Sequence, residues 1–198
     1  MGAPVLIHAP LGRDAEAIAS HVAACGEEAR VCATTEDLAA ALDAAGPEAV
    51  LLCIVAQEGA NGDVAGILAR AFASEPVWAR LPLIFLISDA RRPPLAVRLL
   101  DRKEHAPPFI VLDRPARAAV LRHAVDAQCE ARRRQFETRD LLEKLRVEEE
   151  RGRFLLSELR HRTRNSLSVL QALLSMSQRH ASSVEELAHV NPVESYGD

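Results

Sequence analysis

With 198 residues, 48% apolar and 4% aromatic side chains and a formal charge of −4, the chain can form one compact domain plus an extended element, or two small domains. The mild charge excludes a general affinity for nucleic acid or anionic membranes, and no apolar run approaches the roughly 20 residues that span a bilayer. The four cysteines are scattered without a CxxC pair and the start MGAPVLIHAP lacks the basic region of a signal peptide, so a soluble, cytoplasmic protein without disulfides or a zinc site is expected.

Short apolar or β-branched runs alternate with Ala-rich segments over the first 115 residues. PVLIHA at Pro4–Ala9 is a strand candidate, followed by a helix over Asp14–Cys25 that Gly26 can stop. A short strand is expected at Arg30–Ala33, then a helix with Thr35 as its N-cap, running to Ala45 and ended by Gly46. AVLLCIV at Ala49–Val55 is continuously apolar, as a strand buried on both faces must be. A polar loop over Gln57–Asp63 leads to a third helix reaching about Ser74. Leu83–Ile87 is the fourth strand, Leu95–Arg102 a short helix, and FIVL at Phe109–Leu112 the fifth strand, ended by Asp113-Arg114-Pro115.

Strands alternating with helices argue for an α/β fold with a parallel five-stranded sheet covered on both sides. Right-handed crossovers make it doubly wound, with expected strand order 2-1-3-4-5. Any flavodoxin-like fold satisfies the periodicity. The size and strand spacing resemble a receiver domain of two-component signalling. Three regions are expected: a receiver-like domain over 1–126, a coiled-coil signalling helix over 127–156, and a partial dimerisation region over 157–198.

From Ala116 to His180 there is no proline and a single glycine, Gly152. Glu130–Arg153 is dense in Arg and Glu, and the apolar positions thin to Val125, Cys129, Phe136, Leu142 and Leu145 at three-four spacing. This predicts a long helix with a narrow coiled-coil seam; the competing reading is a solitary, solvated helix held by charge pairs. Arg132-Arg133-Arg134 with its interleaved acids reads as a solvated flank, not a nucleic-acid patch.

The receiver resemblance implies chemistry that this sequence has lost. A working receiver holds Mg²⁺ with carboxylates after the first strand and takes a phosphoryl group on an Asp after the third. Here the first strand runs into His8-Ala9-Pro10 and the third into Cys53-Ile54-Val55-Ala56, while Glu58 and Asp63 read as solvated loop residues. What matches the receiver pattern is Ser88 after the fourth strand and Arg114-Pro115 after the fifth, where the family has Lys-Pro. Arg is a planar fork in place of a point charge. A pseudo-receiver that works by packing and dimerising is expected.

Glu158–His180 reads ELRHRTRNSLSVLQALLSMSQRH. At about 100° per residue, Leu156, Leu159, Leu167, Leu170 and Leu174 fall within about 60° of the face opposite His161. His161, Arg164, Asn165 and Ser168 share the other side. The apolar face can therefore be covered while His161 stays accessible, as a nitrogen nucleophile must be. Glu158-Leu159-x-His161-Arg162-x-x-Asn165-x-Leu167 resembles the H-box of the HWE/HisKA_2 group of histidine kinases, over roughly Phe154 to Leu187. The resemblance implies His161 as phosphoacceptor, with Arg162 and Asn165 in support. It also implies a homodimer, a response-regulator receiver as partner, and a kinase catalytic domain acting in cis or in trans.

ATP and Mg²⁺ would belong to that catalytic domain, since the sequence has no Asn-bearing box or Gly-rich lid, and no cofactor is expected in this chain. Ser182-Ser183-Val184-Glu185 reads as a capping box opening a second helix before Asn191-Pro192 and the polar tail VESYGD. Two other readings stand beside the kinase portion: a stand-alone histidine phosphotransfer protein, and a non-catalytic dimeric adaptor.

Overall fold

The computed structural model describes residues 2–46, 49–73, 75–89, 91–102 and 109–189. Five strands form one parallel sheet: β1 (Val5–His8), β2 (Ala29–Val31), β3 (Leu52–Ala56), β4 (Leu83–Ile87) and β5 (Phe109–Asp113). Their order is β2-β1-β3-β4-β5. The helices are α1 (Asp14–Ala24), α2 (Thr35–Ala45), α3 (Gly62–Ala73), α4 (Leu95–Asp101) and α5 (Ala118–His189). The doubly wound α/β fold expected from the alternating pattern is thus the one found.

The two-residue pleat explains why β3 and β4 are apolar at every position. Cys53 and Val55 of β3, with Leu83, Phe85 and Ile87 of β4, face one layer, where Leu38, Val64, Leu68, Phe72 and Leu100 from α2, α3 and α4 cover them. Leu52 and Ile54, with Ile84 and Leu86, face the other layer, under Ile18 and Val22 of α1 and Leu121, Val125 and Cys129 of α5. In-register pairing of Ile7 with Ile54, and of Ile54 with Ile84, keeps each layer continuous across strands.

Local signals set the helix starts. Thr34, not Thr35, caps α2, because its side chain closes a capping box with Asp37: it accepts from the Asp37 N–H at 3.0 Å, and Asp37 accepts the Thr34 N–H at 2.9 Å. Asn61 accepts the Val64 N–H at 3.0 Å at the head of α3.

Packing divides the chain into Met1–Leu141 and Leu142–Asp198. The first unit thus takes in residues beyond 126 that the sequence reading gave to a coiled coil. Val125 and Cys129 are fully buried against the sheet and Phe136 packs on the same cluster. A stripe at three-four spacing serves a sheet face as well as a partner helix, and here the sheet takes Val125, Cys129 and Phe136 of it while Leu142 and Leu145 stay exposed.

Arg132 corrects the solvated-flank reading most plainly. It is 1% exposed and lies at the N-terminal ends of β3 and β4. Its guanidinium donates to the Val50 carbonyl at 3.1 Å, to the Ala79 carbonyl, to Gln135 at 3.0 Å and to the buried carboxylate of Glu75. Glu75 in turn accepts the Leu81 N–H at 2.7 Å, and the Phe136 ring lies 4.8 Å from the guanidinium carbon. Arg133 pairs with Glu27 at 2.6 Å, whereas Arg134 points outward to Glu130 one turn back.

The second unit is helical. The backbone continues through Ser182-Ser183 to His189, so no second helix begins there. Ser74 at the expected end of α3, and Asn191-Pro192 with the VESYGD tail, lie outside the described residues. Exposed i,i+4 pairs such as Arg146–Glu150 and Arg153–Glu149 line the helix. Leu142, Leu145, Leu156, Leu159, Leu170 and Leu174 are each at least half exposed.

Candidate functional site

The C-terminal ends of β3, β4 and β5 bring together residues distant in sequence. β3 ends at Ala56 and passes into a single 3₁₀ turn, Gln57–Gly59, which carries Glu58. β4 delivers Ser88, whose N–H donates to the Gln57 side-chain oxygen at 2.5 Å. β5 delivers Arg114, followed by a cis peptide to Pro115. Asp14 opens α1 just beyond β1.

Arg114 is the hub of this end of the sheet. One guanidinium nitrogen donates to both Glu58 oxygens at 2.8 Å and another donates to Asp14. Three elements are thereby tied through one planar cation, and the three groups together carry a net charge of −1. Beside them opens a crevice of about 490 Å³, walled by Ile18, Ala56, Leu86 and Leu121 and carrying Ser88 and Arg114 at its polar side. Ser88, Arg114 and Pro115 line one crevice.

Glu58 is not a simple solvated residue, because it is committed to Arg114. Asp14 was missed altogether. An acidic residue opening the first helix soon after the first strand was the available signal, but its partner lies 100 residues away.

His8, read only as a missing carboxylate, has a packing role. Its ring is 1% exposed, Nδ1 donates to the Cys32 carbonyl at 2.9 Å, and Nε2 has no hydrogen-bond partner among the described residues. Gly59 lies close against that ring: a Cβ there would stand 2.5 Å from His8 Cδ2. The glycine is required by close approach.

A receiver's Mg²⁺ does not fit these residues. No carboxylate ends β3, whose last residues are Val55 and Ala56, and Asp14 and Glu58 are both taken by Arg114. Among the described residues no group of three or more His, Cys, Asp or Glu comes together to hold a metal ion. The thiols offer no nucleophile either: burial, then Asp126 by hydrogen bond and charge, pushes Cys25 up to about 11, and burial pushes Cys129 up to about 12.

In the second unit His161 is exposed on α5. The Asn165 amide lies 3.4 Å from His161 Nδ1, one turn on, and Arg162 donates to Glu158 at 2.8 Å one turn back. Thr163 and Ser168 return their hydroxyls to backbone carbonyls at 2.9 Å. The polar side is thus organised by local bonds, while the leucine face opposite is open.

No family model matches the chain, and a search of the curated proteins found no match. Solved structures do match. NtrX from Brucella abortus in complex with ADP aligns with a TM-score of 0.53 and 20% identity over 71% of this chain, which spans 29% of the NtrX chain. A CheY-like response regulator receiver domain protein from Methanospirillum hungatei aligns with a TM-score of 0.50 and 14% identity, covering 68% of this chain and 99% of that one. The fold is receiver-like. A structure described as adenylate cyclase from Rhodopirellula baltica aligns at a TM-score of 0.56 and 12% identity, covering 73% and 99%. At such identities the likeness is one of fold, and the chemistry must be read from this chain's own residues. In the receiver-like domain those residues leave the strand-end site without a phosphoacceptor Asp.

Proposed function

We propose that this chain acts in two-component signalling as the sensory and dimerising portion of a histidine kinase, with His161 as the phosphoacceptor. One observation carries the reading: His161 and Asn165 share a polar helix side whose opposite face is a stripe of exposed leucines. A second copy of the chain covers that stripe and leaves the imidazoles outward. The receiver-like fold supports the same signalling class, and the Arg114-bridged site supports a domain that packs instead of accepting phosphate.

Asn165 Nδ2 stands 3.4 Å from His161 Nδ1; turned so that Oδ1 faces the ring, the amide would accept Nδ1–H and leave the Nε2 lone pair free for the reaction. Nε2 attacks the γ-phosphorus of ATP, the bond to the β-phosphate oxygen breaks, and ADP leaves with the electron pair while the ring sheds its proton. ATP and Mg²⁺ are held by a kinase catalytic domain supplied in cis or in trans. A response-regulator receiver then takes the phosphoryl group from His161.

The test incubates the protein with radiolabelled ATP, with and without a separately supplied histidine-kinase catalytic domain, at alkaline pH where phosphohistidine survives. Label that requires the added domain and disappears in His161→Ala is the expected result. Label that persists in His161→Ala refutes the assignment. A dimer that takes no label from any such domain is instead a non-catalytic adaptor.

A further inference from the structure

The geometry points to Arg114 as the built-in cation of the strand-end site, closing it to divalent metal and to phosphoryl groups alike. A receiver's strand-end carboxylates exist to hold a divalent cation. In this chain Asp14 at the head of α1 and Glu58 in the turn after β3 are both bound by one guanidinium from the end of β5. Arg114 is itself about three-quarters buried, so the cation is fixed in place and not a surface side chain that happens to pass by. One guanidinium nitrogen is shared between both Glu58 oxygens at 2.8 Å, a charge-assisted contact, while another is committed to Asp14.

Two consequences follow from charge alone. A divalent ion entering between Asp14 and Glu58 meets a guanidinium already neutralising them and must expel it. A phosphoryl group meets a cluster whose net charge is −1 and whose guanidinium is already engaged by both carboxylates. The tie also fastens α1, the β3 turn and the end of β5 to one another without any ligand. The domain is therefore held in one arrangement independently of phosphorylation, and removing the guanidinium uncovers a cation site made of the two remaining carboxylates. This inference is independent of the role given to His161.

The experiment follows thermal unfolding of the full chain by Trp78 fluorescence during titration with MgCl₂ and CaCl₂, against NaCl at matched ionic strength. The natural chain is expected to show no divalent response beyond the salt control. Arg114→Met, which keeps the volume of the stem, is expected to unfold at lower temperature. Mg²⁺ or Ca²⁺ should then restore it saturably, by roughly 4 °C at ten times the dissociation constant. Adding Asp14→Asn to that variant should abolish the response.

A saturable Mg²⁺ shift in the natural chain overturns the inference, and so does a folded Arg114→Met without a divalent response. Should Arg114→Met fail to fold, the double variant Asp14→Asn/Glu58→Gln decides. It frees the guanidinium, and a stabilisation by inorganic phosphate that the natural chain lacks is expected. Its absence counts against the inference.

Discussion

Replacing Arg132 by Met tests the packing of α5 against the sheet. The substitution keeps an unbranched stem of similar length but removes the guanidinium that meets Glu75, the Val50 and Ala79 carbonyls and Gln135. Glu75 is 6% exposed, so its carboxylate is left in the interior with the Leu81 N–H as its remaining hydrogen-bond donor among these partners. Breaking a buried pair from one side costs about 3–5 kcal/mol. Each buried carbonyl left without a donor costs about 1–3 kcal/mol when measured alone, and part of that is already inside the first figure. A loss of about 4 kcal/mol is therefore expected, a large share of the ~5–15 kcal/mol that holds a domain together.

With a urea slope of about 2 kcal/mol/M, the unfolding midpoint should fall by roughly 2 M. The assay is urea unfolding read from Trp78, which stands beside Ala79 and is the single tryptophan of the chain. Arg132→Met/Glu75→Leu removes both charges, and its loss should be smaller than the sum of the two single losses by about 1–3 kcal/mol. Arg134→Ala, which removes an exposed pair with Glu130, is the control and should change stability by less than about 0.5 kcal/mol. A midpoint shift under about 0.5 M for Arg132→Met, or strictly additive single losses, refutes the view of Arg132 as a buried clamp.

Gly59→Ala drives a methyl to 2.5 Å from the His8 ring, which is held by its bond to the Cys32 carbonyl and cannot swing away freely; a loss of about 1–3 kcal/mol is expected in the same urea assay. Thr34→Ala opens the capping box of α2 and should cost about 1 kcal/mol. Asp37 is held below the usual carboxylate range first by the Thr34 backbone N–H and then by the Thr34 side chain. The stability that comes from this depressed value is present above the unfolded pKa of about 3.9 and is lost as the pH falls through the folded value, so part of the difference between natural chain and Thr34→Ala should fade in strong acid. With its thiol at about 11, Cys25 should be alkylated by iodoacetamide at pH 8 on the order of 100-fold more slowly than an unperturbed thiol. A rate equal to that of a free cysteine peptide contradicts the burial argument.

Local pattern carries the sheet, the helices and the stripe that puts His161 opposite the leucines, because two-residue and 3.6-residue periods are properties of neighbouring residues. β3 and β4 are legible from continuous apolar runs, and Gly26 and Gly46 mark turns taken at positive φ. The charged groups could not be assigned this way. Arg132 and Arg134 stand two places apart in one helix with the same chemistry, yet about 200° of rotation turns the first into the sheet and the second to water. Arg114 could be read as a receiver remnant, but not as the bridge to Asp14 and Glu58, which lie 100 and 56 residues away. Composition and period say which residues must be buried or solvated on average. Only the closed fold decides which distant carboxylate meets which guanidinium, because an ion pair depends on a few ångströms of separation that the crossovers of the chain alone set.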